Sequence, residues 1–297
     1  MRRRKKTSIA RSLLLCNPSL SKRAIARTLG ISRASLYHRS LQSEKDEKLL
    51  VDILRTLDEH PHYGHRRVAL VLQAGKDRVR RVMRRYGIKP KRRRARQKYK
   101  KLKTHSAIPN RIKGMTVTAP NQVWAGDFTE LSYRGLTVYL ATVIDLYTRE
   151  VLGASVGLRH SADLVVSTLG DAKKKRNGIT PMVFHSDQGS EYESGVCAAW
   201  LYTNHVLPSR SGRAHPWENG RQESFFASFK RELINLSSLP TLEDAIAAIH
   251  HHIHYYNTRR IHTALKMPPR SFYERWKNTL MLLPAPCSHE KQLSTPV

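Results

Sequence analysis

The chain has 297 residues, 40% of them hydrophobic, and a formal net charge of +30. That length accommodates two or three domains with at least one sizeable core, and the apolar share excludes a disordered tail. Nowhere is there a run of about 18 apolar residues, so a membrane helix is excluded, and Leu13–Leu15 behind the basic N-terminus is too short for a signal-peptide core. A cytoplasmic location is the expectation. Cys16, Cys197 and Cys287 lie far apart in the sequence, which supports neither a disulfide framework nor a cysteine zinc site.

The charge is unevenly spread. Residues 1–113 hold 34 Lys/Arg against 7 Asp/Glu, a balance of +27, while residues 114–297 hold 19 against 16, a balance of +3. The first part is therefore expected to grip a polyanion, and the acids of the second part need a separate explanation.

Residues 18–40 read as a helix-turn-helix. Ser21 caps a helix through Ala24, Ile25, Ala26 and Leu29; Gly30 supplies the turn and Ile31 an apolar plug. Ser32 then caps a second helix with Leu36 inward and Arg33, Ser35, Tyr37 and Arg39 outward. Leu49, Leu50, Ile53, Leu54 and Leu57 recur at helical spacing over 44–60, and Pro61 ends that helix. Two more helices are expected near 65–73 and 76–86, the second with Arg78 and Arg81 among the arginines around its apolar stripe. Lys89–Lys103 is almost uninterrupted Lys/Arg, a backbone-tracking arm that includes Arg92, Arg93 and Arg94.

Strand patterns follow. Val123–Leu131, Thr137–Asp145 and Glu150–Gly157 predict an antiparallel meander, with Gly135 at a turn. A helix at 161–176, a short strand Met182–Phe184, a helix near 194–204 and a strand at Val206–Leu207 come next. Helices near 217–237, 241–257 and 269–281 complete the chain. The order is that of a ribonuclease-H-like α/β core, a mixed five-stranded sheet with flanking helices, preceded by all-α helix-turn-helix modules. The expected divisions are 1–43 and 44–103 for two DNA-binding modules, 104–120 for a linker, 121–285 for the core and 286–297 for a tail.

Three acids stand where solvated charges rarely lie: Asp127 inside the first strand, Asp187 directly after the strand MVF, and Glu223 in a helix beside Phe225, Phe226 and Phe229. A carboxylate near aromatic packing is costly unless it is paired or binds metal. Hard Mg²⁺ or Mn²⁺ prefers oxygen ligands. Two ions can bracket a phosphate, one activating the attacking oxygen and one stabilising the leaving oxygen. In that arrangement Asp127 bridges both ions, and Asp187 and Glu223 each complete one.

The motifs around these acids resemble the DDE insertion-sequence transposases of the retroviral-integrase superfamily, in the IS-three branch. WAGDFTEL carries Asp127 and HSDQGSEY carries Asp187. The 35 residues from 188 to 222 separate the second aspartate from Glu223, as in that superfamily. SGRAHPWENGRQESFFASFKRE is similar to its glutamate helix, YNTRRIHTALKMPPRSF to its C-terminal signature, and HYGHRRV at 62–68 to the helical module before its core. Gly126 and the pair Trp217-Glu218 depart from the usual pattern. The resemblance implies cleavage and strand transfer at insertion-sequence ends by two-metal phosphoryl transfer, double-stranded DNA as partner, and at least a dimer on DNA. One turn before Glu223, Asn219 can steady it or a phosphate; two turns after it, Lys230 faces DNA. His185 is expected to turn away by strand alternation, with a packing role at least as good as a catalytic one.

Asp145 reads as a strand-end residue. The cluster His250, His251, His252 and His254 reads as a helical surface, since it lacks the glutamate of an H-E-x-x-H site, and Tyr255, Tyr256 and Trp276 read as core aromatics. Two rival functions are a catalytically inactive integrase-like regulator and a nuclease that only hydrolyses. The intact acids argue against the first, and the DNA-reading modules against the second.

Overall fold

The computed structural model describes residues 3–37, 42–91, 108–211 and 220–281. Arg39, Arg92, Arg93, Arg94, Asn219 and the tail lie outside the described residues.

The chain begins with a helix that is an addition to the expected elements, α1 (Arg3–Cys16), followed by α2 (Lys22–Thr28) and the short α3 (Ala34–Tyr37). Ser21 caps α2 by accepting from the Ala24 amide, and Gly30 turns the chain at φ 61°, where a side chain would be strained. Ala10, Ile25, Ala26 and Ile31 form a small core, with Leu36 packed against it. A second helical unit comprises α4 (Gln42–Glu59), α5 (His65–Val71) and α6 (Lys76–Arg85). Leu49, Ile53, Val68, Val79, Val82 and Met83 close its interior.

Five strands make one sheet: β1 (Val123–Tyr133), β2 (Leu136–Asp145), β3 (Val151–Gly157), β4 (Val183–Ser186) and β5 (Leu207–Arg210). The order is β3-β2-β1-β4-β5. The first three form the expected antiparallel meander, and β4 and β5 add in parallel. Arg134 (φ 45°) and Gly135 (φ 86°) form the β1–β2 turn, the left-handed pair that matches strand twist in a tight hairpin. The mixed sheet has the ribonuclease-H-like arrangement that the sequence predicts.

Helices cover both faces. On one side lie α7 (Ala162–Lys175), the one-turn α8 (Ser190–Glu193) and α9 (Gly195–Thr203), where Val165, Leu169, Cys197 and Leu201 pack with Trp124, Val143 and Phe184. On the other lie α10 (Gly220–Glu232) and α11 (Leu242–Thr258), with α12 (Pro269–Met281) beside α11. Here Phe225, Phe226 and Phe229 meet Leu131, Val138, Leu140 and Ile249. Burying such rings stabilises by about 1.5–3 kcal/mol each, enough to fix α10 against the sheet. Part of the expected linker also packs on the core: Ile112 and Val117 lie against Val123, Ala125 and Val183.

Candidate active site

Strand alternation assigns Asp127 to the face covered by α10. Leu131 and Tyr133 of β1 point toward α10, and Asp127 shares their parity. Asp127 pairs across the ladder with Thr142 of β2. On the other edge of β1 the parallel register runs Val123 to Val183, Trp124 to Phe184 and Ala125 to His185. The pairing ends there, and Asp187 follows just beyond the end of β4. The Asp187 Oδ1 atom accepts from the Gly189 amide at 3.0 Å, and Asp127 Oδ1 from the Phe128 amide at 2.8 Å. Both aspartates act on buried Tyr192: burial first, then their charges, push its phenol well above the usual tyrosine range.

The helix that carries Glu223 is fixed to the sheet by the residue beside it. Fully buried Gln222 donates from Nε2 to the Ala125 carbonyl at 2.6 Å and accepts from Thr142 Oγ1 at 3.4 Å. One side chain thus pins α10 to β1, two residues before Asp127, and to β2 at the residue paired with Asp127. All three acids are partly exposed, as side chains that meet a substrate must be.

Gly126, atypical in the sequence, has a local cause. A Cβ there would lie 2.5 Å from Cζ of buried Phe184 and 3.3 Å from Tyr192. No residue larger than glycine fits without displacing the Phe184 ring or the strand that carries Asp127.

Gln222 was missed in the sequence, although a signal existed: it occupies the apolar stripe of α10 with Phe225, Phe226 and Phe229 as its polar intruder. Also missed was a pair at the rim. The imidazole of His160 bonds Glu191 through Nδ1 and packs on Phe128 at 4.0 Å between ring centroids. His185 is completely buried, with Nδ1 bonded to Ser209 Oγ at 2.9 Å. Alternation does not separate it from Asp187, because residues two apart share a face; its burial and the Ser209 bond set it apart. Asp145 is likewise fully buried, accepting from the amides of Asn121, Tyr147 and Thr148 at the strand end. Burial drives the His252 imidazole down to about 4, and its ring meets Phe229 edge-on, so this histidine belongs to packing and not to the exposed surface.

Among the residues expected to touch DNA, Arg33 is exposed and Ser35 half-buried, with its Oγ 2.7 Å from that of Ser32. Arg78 donates to the Lys45 carbonyl at 3.3 Å. Arg81 is bonded at 2.7 Å to the buried Asp46 carboxylate, a tie within the helical unit that competes with a phosphate contact. Lys230 is exposed on α10.

Residues 117–216 and 204–269 match models of the integrase core domain. The transposase for insertion sequence element IS904 of Lactococcus lactis is 32% identical over 250 residues, covering 80% of this chain and 98% of that protein. The chain belongs to the IS-three family of insertion-sequence transposases. A second relative, the putative transposase InsK for insertion sequence element IS150 of Escherichia coli, is 30% identical over 82% of this chain and 89% of its own length. The HTLV-2 integrase catalytic core domain in complex with magnesium aligns with a TM-score of 0.42 at 17% identity, covering 52% of this chain and 97% of that one. As a member of its family the transposase is a DDE-type polynucleotidyl transferase, a class that acts with a divalent metal. Among the described residues no three His, Cys, Asp or Glu side chains are gathered closely enough to hold an ion as they stand. The donor set nonetheless suits one: three carboxylates, all hard oxygen ligands, projected from β1, the end of β4 and α10. No helix among the described residues is long and apolar enough to cross a membrane.

Proposed function

We propose that this transposase cuts DNA at the ends of its insertion sequence and joins the freed ends to target DNA, with Asp127, Asp187 and Glu223 as the catalytic acids. The observation that supports this most is the parallel pairing of β1, which carries Asp127, with β4, which leads into Asp187, together with the Gln222 bond that holds the helix of Glu223 against β1. These three acids would hold Mg²⁺ or Mn²⁺, two ions per site. When bound, the metal would lower the barrier to in-line displacement at phosphorus by activating the attacking oxygen and stabilising the leaving one. The chain's own part is placement. Gln222 fixes the helix, and Gly126 lets the strand lie close to Phe184.

The rest of the chain supplies the substrate. Residues 1–43 and 44–103 read the terminal inverted repeats, with Arg33, Ser35 and Arg39 toward bases and Arg78, Arg81 and Arg92–Arg94 toward phosphates; Lys230 holds DNA near the acids. Residues 104–120 link these modules to the core at 121–285. Two ends must be held at once, so the working form is at least a dimer on DNA. A supercoiled plasmid incubated with protein, Mg²⁺ and cognate ends tests the reading. Joined products are expected. Nicks alone would mean a hydrolytic nuclease, and retarded but uncut DNA a binding regulator.

A further inference from the structure

Three segments marked out by the sequence motifs, far apart in the chain, meet at one place. HYGHRRV contributes Tyr63 and Arg67 from the helical unit α4–α6. The glutamate helix contributes Glu232, its last residue. YNTRRIHTALK contributes Arg260 and Ile261. Arg260 grips Glu232 with two bonds of 2.6 Å, from Nε to Oε2 and from Nη2 to Oε1. Arg67 Nη1 lies 3.6 Å from the same Oε1. The three side chains keep only 8%, 3% and 21% of their exposure for Glu232, Arg260 and Arg67. Around them the Ile261 amide donates to Tyr63 Oη at 2.7 Å, and His60 Nδ1 lies 2.9 Å from Tyr255 Oη.

The position of Glu232 gives the junction its meaning. A carboxylate at a helix C-terminus is repelled by the helix dipole, and a buried one is costly unless paired. Two arginines offset both costs. Glu223 and Glu232 are nine residues apart, about two and a half turns and roughly 13 Å on α10. They therefore face opposite sides of the helix, with Glu232 toward the helical unit. Gln222 fastens one end of this rod to the sheet, and Arg67 fastens the other to α5.

We infer that Arg67, acting through Glu232, is a positioning residue that sets the catalytic glutamate helix according to the seating of the DNA-reading helical unit. This rests on the function proposed above, in which α4–α6 engages end DNA and Glu223 is catalytic. Glu232 remains bidentate to Arg260 when Arg67 is changed, so Arg67→Met keeps the core folded. A glutamate displaced by ~1 Å costs on the order of 100-fold in rate.

The test compares full-length wild type, Arg67→Met and Arg67→Lys for three quantities: affinity for an end duplex, cleavage at saturating DNA with Mg²⁺, and amide hydrogen exchange of residues 220–232 with and without that duplex. The expected result is unchanged affinity in all three. In Arg67→Met, the cleavage rate at saturating DNA falls and the DNA-induced protection of 220–232 is lost; Arg67→Lys regains both. Wild-type cleavage by Arg67→Met, or its failure to bind DNA at all, would overturn the assignment. A wild-type chain that binds end DNA without cutting it would overturn the transposase reading itself, and the inference with it.

Discussion

Replacing Gln222 with leucine tests whether the catalytic glutamate is placed by packing or by one amide. Leucine nearly preserves the volume, and Phe225, Phe226 and Phe229 still hold α10 on the sheet. What is lost are the 2.6 Å bond to the Ala125 carbonyl and the 3.4 Å bond from Thr142. A buried carbonyl left without its donor costs about 1–3 kcal/mol, against a total stability on the order of 5–15 kcal/mol. The chain should stay folded, with Tm lower by roughly 2–4 °C per kcal/mol lost. Catalysis should suffer more. The clamp sits one residue from Glu223 and beside Asp127, and a shift of ~1 Å there costs on the order of 100-fold. Single-turnover cleavage of a cognate end at saturating protein, run beside urea unfolding, separates the two effects. Exposed Ser224→Ala on the same helix is the control and should cleave normally. A Gln222→Leu protein that has lost the expected stability but cleaves at the wild-type rate would refute the claim that this amide positions Glu223.

Asp127→Asn, Asp187→Asn and Glu223→Gln should each abolish cleavage while end-DNA binding persists, checked by gel shift and cleavage on the same samples; EDTA should do the same to the wild type. Gly126→Ala should cost about 1–3 kcal/mol by overpacking Phe184, and Phe184→Leu in the same chain should recover part of it in urea melts. Burial holds His252 and His262 down to about 4 against an ordinary 6.5. Their neutral forms thus favour the folded state, so stability is complete above pH 6.5 and declines as pH falls toward 4; a flat urea midpoint across that window would contradict this. Removing residues 1–103 should make DNA binding nearly insensitive to salt, since each phosphate contact contributes about 0.9 to the log–log slope, whereas a slope as steep as the full chain's would place the DNA grip in the core.

The sheet was legible because its strands obey simple rules. TVYLATVID is rich in β-branched and apolar residues because most of β2 is buried between two helical layers. The parallel addition of β4 followed from one short apolar run between two helices. The acids stood out for the opposite reason, as charges set into apolar surroundings. Gln222 and Gly126 did not, because their roles depend on what lies across the sheet: a carbonyl on β1 and a ring on β4. Arg67 and Glu232 looked like ordinary charges in basic, solvated helices. Only the fold brings residues 67, 232 and 260 together, and no local pattern of spacing encodes that meeting. The helix at Arg3–Cys16 was hidden by its composition, since its basic first turn reads as arm.

The buried ions are placed where the chain must choose one arrangement among several apolar ones. Arg176 lies between Asp145 and Glu150, 3.9 and 2.9 Å away, with its guanidinium 3.6 Å from the Tyr273 ring centroid, and so ties the β2–β3 turn to α7 and α12. Arg67, Glu232 and Arg260 tie α5 to α10 and to the segment after α11. Apolar side chains at either junction would pack as tightly and avoid the desolvation cost, but they would allow helices to slide. An ion pair with two bonds of 2.6 Å tolerates little sliding. In the proposed function the third acid comes from a helix and not from the sheet, so the position of that helix along its axis would decide whether the three carboxylates converge. The polar side chains Gln222 and Glu232 hold that axis at both ends, while the phenylalanines between them supply most of the binding energy.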